Sequence, residues 1–522
     1  MPLPAVPTVG LRARRLGVAA GLLASVGAGV VLALSLPPRP LGPAGGWWWG
    51  PVGAGMVFAL GRDRPARWRG ASGAASGLGL YGAGLWWATD FHAVGYVALV
   101  VVESLLLAGA LTLAPPTRGR TPAVPLTLAL VTVVRATVPF GGLPLAGLEL
   151  GQVGGPFAEA ARLGGPPLVV GLMAAAGVGV TELAAVVRRR LRAPRPRAPL
   201  ALRRLAPAVV AVATAVAGAT AGSLGPDGRP VGTVAVAAVQ GGGPRGLRAV
   251  DVDPGATFEA HLAASALVPA GTELVLWPED VVDVDRPVDA TREGQRASAL
   301  ARDLDASLVA GVVEETPGGS GFRNAAVAWG PDGRLLDRTE KVHRVPFGEY
   351  IPLRGLLEGL VDLGAVPRDA VVGEGPGVLD TAAGPVAVTI SFEVFFPELA
   401  RTGVRRGGEV LLVPTNASSY RTAQVPAQEV AAARLRALET GRWVVQAAPT
   451  GYSAVIDHRG RVRRRGPLGA PAVLAAEVGR RRGDTAFSAT GQAPWTIVAG
   501  LGLAVSWLRG RKVESLTISL IA

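Results

Sequence analysis

The sequence predicts a multi-span α-helical membrane domain followed by a layered α/β domain outside the cytoplasm and one last helix through the bilayer. Three observations lead there. The 522 residues are 49% hydrophobic and only 17% charged, too apolar for an ordinary water-soluble chain. Seven apolar stretches precede residue 230 and an eighth lies near the C-terminus. Between them, short β-branched runs alternate with helical patterns.

The apolar stretches cover residues 16–36, 44–61, 70–89, 92–114, 122–141, 166–187, 205–222 and 493–508. Most approach the roughly 20 residues that cross about 30 Å of hydrocarbon at 1.5 Å per residue. A cleaved signal peptide would also place basic residues before an apolar run, as Arg12, Arg14 and Arg15 do before the first stretch. The length of that run and the spans behind it favour a retained helix.

Arginines mark the cytoplasmic side. Arg12, Arg14 and Arg15 precede span 1, and Arg62, Arg64, Arg67 and Arg69 separate spans 2 and 3. Arg118 and Arg120 separate spans 4 and 5. Arg188, Arg189, Arg190, Arg192, Arg195 and Arg197 separate spans 6 and 7, and Arg509, Arg511 and Lys512 follow span 8. The alternate loops carry only Arg39 and Arg162. The positive-inside rule then puts both termini in the cytoplasm and residues 223–492 outside it. The expected domains are 1–222 (seven spans), 223–492 (α/β) and 493–522 (final span and tail). A net charge of +13 suits nucleic acid in principle, but here the charge flanks membrane spans, so no nucleic-acid partner is expected.

In 223–492 the expected strands are Thr233–Val236, Leu274–Trp277, Ser307–Ala310, Val386–Ile390, Val410–Val413 and Trp443–Gln446. Helices are expected near 290–304, 396–405 and 424–440. Strands buried by helices on their faces make a layered α/β fold. There is no cysteine, so disulfides and thiolate metal sites are excluded, and the four histidines show no metal-ligand spacing.

Three segments carry the residues for covalent acyl transfer, which needs a nucleophile, a base and positive charge for an oxyanion. Glu279 follows the strand ending at Trp277, with Pro278 fixing the turn, and is the candidate base. Lys341 is one of two lysines among 52 basic residues, the other being Lys512, so it alone offers a compact ammonium in the outer domain. Ser391 follows the strand ending at Ile390 and is the candidate nucleophile. Glu349 lies eight residues after Lys341, and Glu393 lies two after Ser391, on its side if the strand continues. Both read either as support for the site or as ordinary structural carboxylates. Arg135 falls inside the fifth span, where it either snorkels to the nearer surface, or lines a polar cavity or meets a lipid headgroup.

These segments resemble the apolipoprotein N-acyltransferase family, bacterial membrane enzymes of the nitrilase superfamily. The resemblance rests on Trp277-Pro278-Glu279, on Arg323-Asn324-Ala325, on Lys341 through Tyr350, on Ser391 through Pro397 and on Val413 through Ala417. It implies an α-β-β-α sandwich for the outer domain. It also implies a multi-pass protein of the cell membrane that moves an acyl chain from a phospholipid, through a covalent acyl-enzyme, to the N-terminal amine of diacylglyceryl-cysteine lipoproteins. Glu279 would be base, Lys341 oxyanion stabiliser, and Glu349 and Glu393 supporting residues. No metal or cofactor is implied, and a monomer is expected.

Ser391 stands where the family carries its nucleophilic cysteine. A thiol near pKa 8.5 is a few per cent thiolate at neutral pH, and an alcohol is not. Ser391 is an engineered trap, a natural serine variant forming an oxyester, or the mark of a paralogue that kept binding and lost chemistry. A membrane-tethered nitrilase-type amidase and a non-catalytic membrane scaffold are the other readings.

Overall fold

The structure is a computed structural model and describes residues 8–39, 46–116, 119–192, 202–242, 253–357, 366–375, 377–416, 420 and 422–519. Arg118, Arg195, Arg197 and Ala417 lie outside the described residues.

Each of the first seven apolar stretches contains a helix: α1 (Thr8–Ala33), α2 (Trp49–Leu60), α3 (Ala66–Gly84), α4 (Ala93–Leu113), α5 (Arg120–Arg135), α6 (Ala161–Leu191) and α7 (Leu202–Leu224). Among the described residues, four segments are helical, long and apolar enough to cross a membrane: Leu16–Ala33, Ala93–Leu113, Pro156–Leu191 and Leu205–Leu224. At 12 and 16 residues, α2 and α5 are shorter than a straight crossing needs.

The 19 residues of α3 are rich in Gly, Ala and Ser because its neighbours come too close for larger side chains. A Cβ on Gly29 would collide with the Ser76 carbonyl, and one on Gly79 with that of Val26. On the other side of α3, a Cβ on Gly73 would meet Ala108, and one on Gly77 would meet Ser104. Small residues that let backbones touch are how helices associate where lipid removes the hydrophobic drive.

Two arginines expected in cytoplasmic loops are instead built into the bundle. Arg69 is buried in the first turns of α3 and donates to Thr112 O (3.0 Å) and Leu111 O (3.4 Å) at the end of α4. Arg120 is buried and donates to Phe58 O (3.1 Å) near the end of α2. Both cations sit on the carbonyl end of a helix, where unpaired acceptors and the dipole favour positive charge.

Arg135 is the last residue of α5 and not mid-span. It is buried, and its Nε donates to Glu103 of α4 at 2.5 Å. Its Nη2 donates to Leu143 O and Leu145 O, and its guanidinium lies 4.7 Å from the Tyr81 ring centroid. Glu103 thus supplies the countercharge of Arg135 inside the protein.

The second half runs β1 (Arg229–Gln240), α8 (Pro254–Ser265), β2 (Leu274–Leu276), β3 (Val282–Val284), α9 (Arg292–Leu304), β4 (Ser307–Glu315), β5 (Gly321–Trp329), β6 (Leu335–Glu340) and α10 (Arg354–Leu357). It continues through β7 (Asp369–Ala370), β8 (Val378–Leu379), β9 (Val386–Val388), α11 (Pro397–Arg405), β10 (Val410–Pro414) and α12 (Gln424–Thr440). Then come β11 (Val444–Ala447), β12 (Ala454–Ile456), β13 (Val462–Arg465), β14 (Ala472–Arg482), α13 (Ala486–Thr490) and α14 (Ala493–Ser519), the last covering the eighth apolar stretch.

One sheet has the order β14-β1-β2-β4-β5-β6, with β3 beside β4 and β7 beside β5; the other has the order β13-β12-β11-β10-β9-β8. The sheets face each other. Val236, Leu276, Val309 and Ala326 of the first meet Val388, Leu412, Val445 and Val455 of the second. The alternate residues Ala237, Val275, Leu308 and Val327 turn outward onto α8 and α9, as a two-residue period requires. On the far side Leu411, Val413 and Val444 join a core shared with α11, α12 and the membrane helices. The result is an α-β-β-α sandwich whose second helical layer also packs on the membrane domain.

Two glutamines one turn apart on α12 make that contact polar and specific. Gln424 donates to Ala83 O (2.8 Å) and accepts from Trp87 N (3.0 Å). Gln428 donates to Gly84 O (3.1 Å) and accepts from Ala146 N (2.8 Å).

Gly29→Val and Gly27→Val separate close packing from helix propensity, since a Cβ on Gly27 meets nothing within 4 Å. Thermal unfolding in detergent should show Gly29→Val destabilised by about 1–3 kcal/mol or failing to assemble, as overpacked cores do. Gly27→Val should stay close to wild type.

Candidate active site

Strand ends deliver the candidate residues. β2 stops at Leu276, and Trp277-Pro278 carry the chain to Glu279, which is buried. β6 stops at Glu340, and Lys341 follows at 2% exposure. Lys341 Nζ donates to Glu279 Oε1 at 2.8 Å and to Glu349 Oε1 at 2.9 Å. Asn324 on β5 donates through one amide nitrogen to the same two oxygens, at 2.9 and 3.0 Å. Two carboxylates thus share one ammonium and one amide. Burial alone would depress Lys341, but Glu279 and Glu349 outweigh it and hold the ammonium above its ordinary value.

Glu349 also accepts from Val345 N through Oε2 (2.7 Å), which closes the loop between it and Lys341. Tyr350 donates to Phe140 O (3.0 Å), and Phe347 meets the Phe140 ring edge-on at 5.9 Å. The Pro139–Pro144 loop of the membrane domain therefore lies against this segment.

Ser391 sits on a sharp turn. β9 ends at Val388, earlier than expected, and Ser391–Phe395 form a single 3₁₀ turn. Ser391 has φ +52°, a left-handed conformation that a non-glycine residue adopts only when its surroundings hold it there. The strand does not continue, so Glu393 reaches the site through the turn and not by strand alternation. Its Oε1 accepts from Val342 N (2.8 Å) and His343 N (2.9 Å), and its Oε2 from Ile390 N (2.9 Å). Glu393 thus ties the Ser391 turn to the Lys341 loop. Burial pushes its carboxyl up, against those three backbone donors and Lys341.

Other polar residues converge here without having been singled out as site residues. Thr415, one residue after β10, places its hydroxyl 3.3 Å from Ser391 Oγ and 2.8 Å from Glu429 Oε1. Asp280 has φ +57° and accepts from Asn416 at 2.9 Å. Burial, then neighbouring Glu279, pushes Asp280 well up. Glu429 shares its buried helix with Val425, Ala432 and Leu435 but also with Gln428, Arg436 and Glu439, so polarity on that face did not single it out.

Lys341→Met should cost about 3–5 kcal/mol, because it leaves two carboxylates without their countercharge in a buried site. Thermal unfolding in detergent reads this directly. A raised lysine keeps its stabilisation below its unfolded pKa and loses it only as pH climbs through the folded value. The difference between wild type and variant should therefore persist from neutral into alkaline pH.

A family model described as carbon-nitrogen hydrolase matches residues 235–485, and one described as apolipoprotein N-acyltransferase N-terminal domain matches residues 28–179. The chain is similar to the apolipoprotein N-acyltransferase of Mycolicibacterium smegmatis, at 33% identity over 93% of this chain and 84% of the relative. The apolipoprotein N-acyltransferase of Pseudomonas putida is 30% identical over 94% of this chain and 97% of its own. Among solved structures, a Saccharomyces cerevisiae protein from branch 10 of the nitrilase superfamily matches at TM-score 0.38 and 22% identity, covering 48% of this chain and 91% of its own. With one model on the membrane half, another on the sandwich and relatives aligned nearly end to end, this chain belongs to the apolipoprotein N-acyltransferase family.

Proposed function

We propose that the protein transfers an acyl chain from a phospholipid, through an oxyester on Ser391, to the N-terminal amine of diacylglyceryl-cysteine lipoproteins. The observation that carries this reading is the cluster of Lys341 between Glu279 and Glu349, joined through Glu393 to the turn that presents Ser391. Family membership supports the substrate classes.

In the first half-reaction Ser391 Oγ attacks the donor ester carbonyl, and the lysophospholipid leaves as its alkoxide takes up a proton. In the second, the lipoprotein amine attacks the oxyester carbonyl, the amide forms, and Ser391 regains its proton. Lys341 stabilises the oxyanion in both. Glu279 takes the amine proton in the second half-reaction and returns it to Ser391, while Glu349 and Glu393 hold the ammonium and the nucleophile turn in place.

We also infer eight membrane crossings with both termini in the cytoplasm, the sandwich on the outer face and a monomer as the working unit. Arginine-rich segments between alternate helices support this orientation. An apolar cavity of about 420 Å³, lined by Val30, Leu36, Ala83, Trp86 and Ala423 among others, lies between the membrane helices and the start of α12, and none of the candidate site residues lines it. A serine at the cysteine position favours a second reading, a paralogue that binds lipid or a partner without turnover.

Intact mass of the detergent-solubilised protein after incubation with phospholipid separates the two. Acyl transfer predicts an adduct that Ser391→Ala abolishes and Ser391→Cys forms faster. If Ser391→Cys loads and the serine protein does not, the binding reading holds.

A further inference from the structure

Glu429 is buried on the first half of α12. Its Oε1 accepts from Thr415 Oγ1 at 2.8 Å, and its buried Oε2 has no hydrogen-bond partner among the described residues. Thr415 is fully buried, and its hydroxyl also lies 3.3 Å from Ser391 Oγ. The oxygens therefore form a line, Ser391–Thr415–Glu429. Glu279 is placed differently: its Oε1 is shared by Lys341 and Asn324.

We infer that Thr415 and Glu429 form a hydroxyl relay that governs the proton on Ser391, a positioning pair for the acylation step; this rests on the reading of Ser391 as nucleophile. A threonine hydroxyl carries one proton, so it cannot donate to both neighbours at once. With Glu429 protonated, Glu429 donates to Thr415 and Thr415 donates to Ser391 Oγ. With Glu429 ionised, Thr415 donates to the carboxylate and accepts from Ser391. Only the second state draws the serine proton away from the attacking oxygen.

The step balances along this line. Ser391 Oγ bonds to the ester carbonyl carbon as its proton moves to Thr415 Oγ1 and the Thr415 proton moves to Glu429 Oε1. The tetrahedral intermediate collapses, the carbon–oxygen bond to the glycerol breaks, and the proton returns from Glu429 through Thr415 to the departing alkoxide. A thiol needs this help far less, since part of it is already ionised. The relay is thus a device suited to serine.

The groups around Glu429 set when it works. Lys341 faces it from the end of β6, Glu279 from the turn after β2, and Tyr420 from the loop before α12. Burial lifts Glu429 to about 8; the Thr415 bond and Lys341 oppose that rise, and Glu279 adds to it. Glu429 is protonated below that value and a base above it.

The test is the initial rate of acyl-adduct formation with phospholipid vesicles, followed by intact mass across pH 6–10. Thr415→Val and Glu429→Gln are each made in the native protein and in the Ser391→Cys background, with Thr415→Ser as the conservative control. The native rate should rise through about pH 8. Each variant should lose about 100-fold, the usual scale for a positioned proton acceptor, and Glu429→Gln should flatten the rise. Thr415→Ser should restore both. In the Ser391→Cys background the losses should be at least about tenfold smaller. Equal losses in both backgrounds would mark a merely structural pair and overturn the relay, as would an unchanged pH profile in Glu429→Gln. Loading by Ser391→Cys alone, at every pH, overturns the relay together with acyl transfer through Ser391 and leaves the binding reading. No loading by either protein overturns both.

Discussion

The ammonium of Lys341 is the interaction on which the site depends. It draws together the end of β2, the end of β6 and the loop carrying Glu349, none of which touch through secondary structure at that point. A charge this deep is tolerated because two carboxylates and the Asn324 amide satisfy the same small volume. Arginine, with its planar fork, would not fit two oxygens converging on one point. Once the loop is held there, Val342 N and His343 N are aimed at Glu393, and Glu393 fixes the turn of Ser391. The left-handed backbone of Ser391 is thus supported by a network that begins at a lysine far from it in sequence.

The second organising element is α12. Its Gln424 and Gln428 grip backbone groups of the membrane domain, while Glu429, one residue on, reaches Thr415 beside Ser391. Two turns later Arg436 donates to Val394 O inside the Ser391 turn and pairs with Glu439. One rigid helix therefore holds both the membrane domain and the Ser391 turn. Contact with the apolar helices and the position of the Ser391 turn are set by the same piece of backbone.

Much of this was legible in the sequence because period and rarity carry information. The β-branched runs at 274–277, 410–413 and 443–446 became strands, and the helical stretches near 290–304, 396–405 and 424–440 became helices. Lys341 stood out as a lone lysine among arginines. What the sequence hid depends on tertiary partners. β13 reads Val-Arg-Arg-Arg and is exposed throughout, so no apolar alternation marks it as a strand. Arg69, Arg120 and Arg135 look like loop or lipid-facing charge until the carbonyls and the Glu103 that neutralise them are seen. Thr415 and Glu429 are separated by 14 positions and meet only because β10 and α12 pack in sequence order.

The sandwich begins and ends in one place. β1, which follows α7, pairs antiparallel with β14, which precedes α14, from Arg229 opposite Arg482 through Gln240 opposite Ala472. The first strand to emerge thus waits for nearly the last part of the domain to be synthesised before its edge is covered. Long-range pairing of this kind is slow and leaves an unpaired strand open to wrong partners meanwhile. Cotranslational assembly of this protein is therefore gated by its own C-terminal segment: a ribosome that stalls before residue 472 leaves β1 without its antiparallel neighbour, a state suited to chaperone capture and quality-control proteolysis.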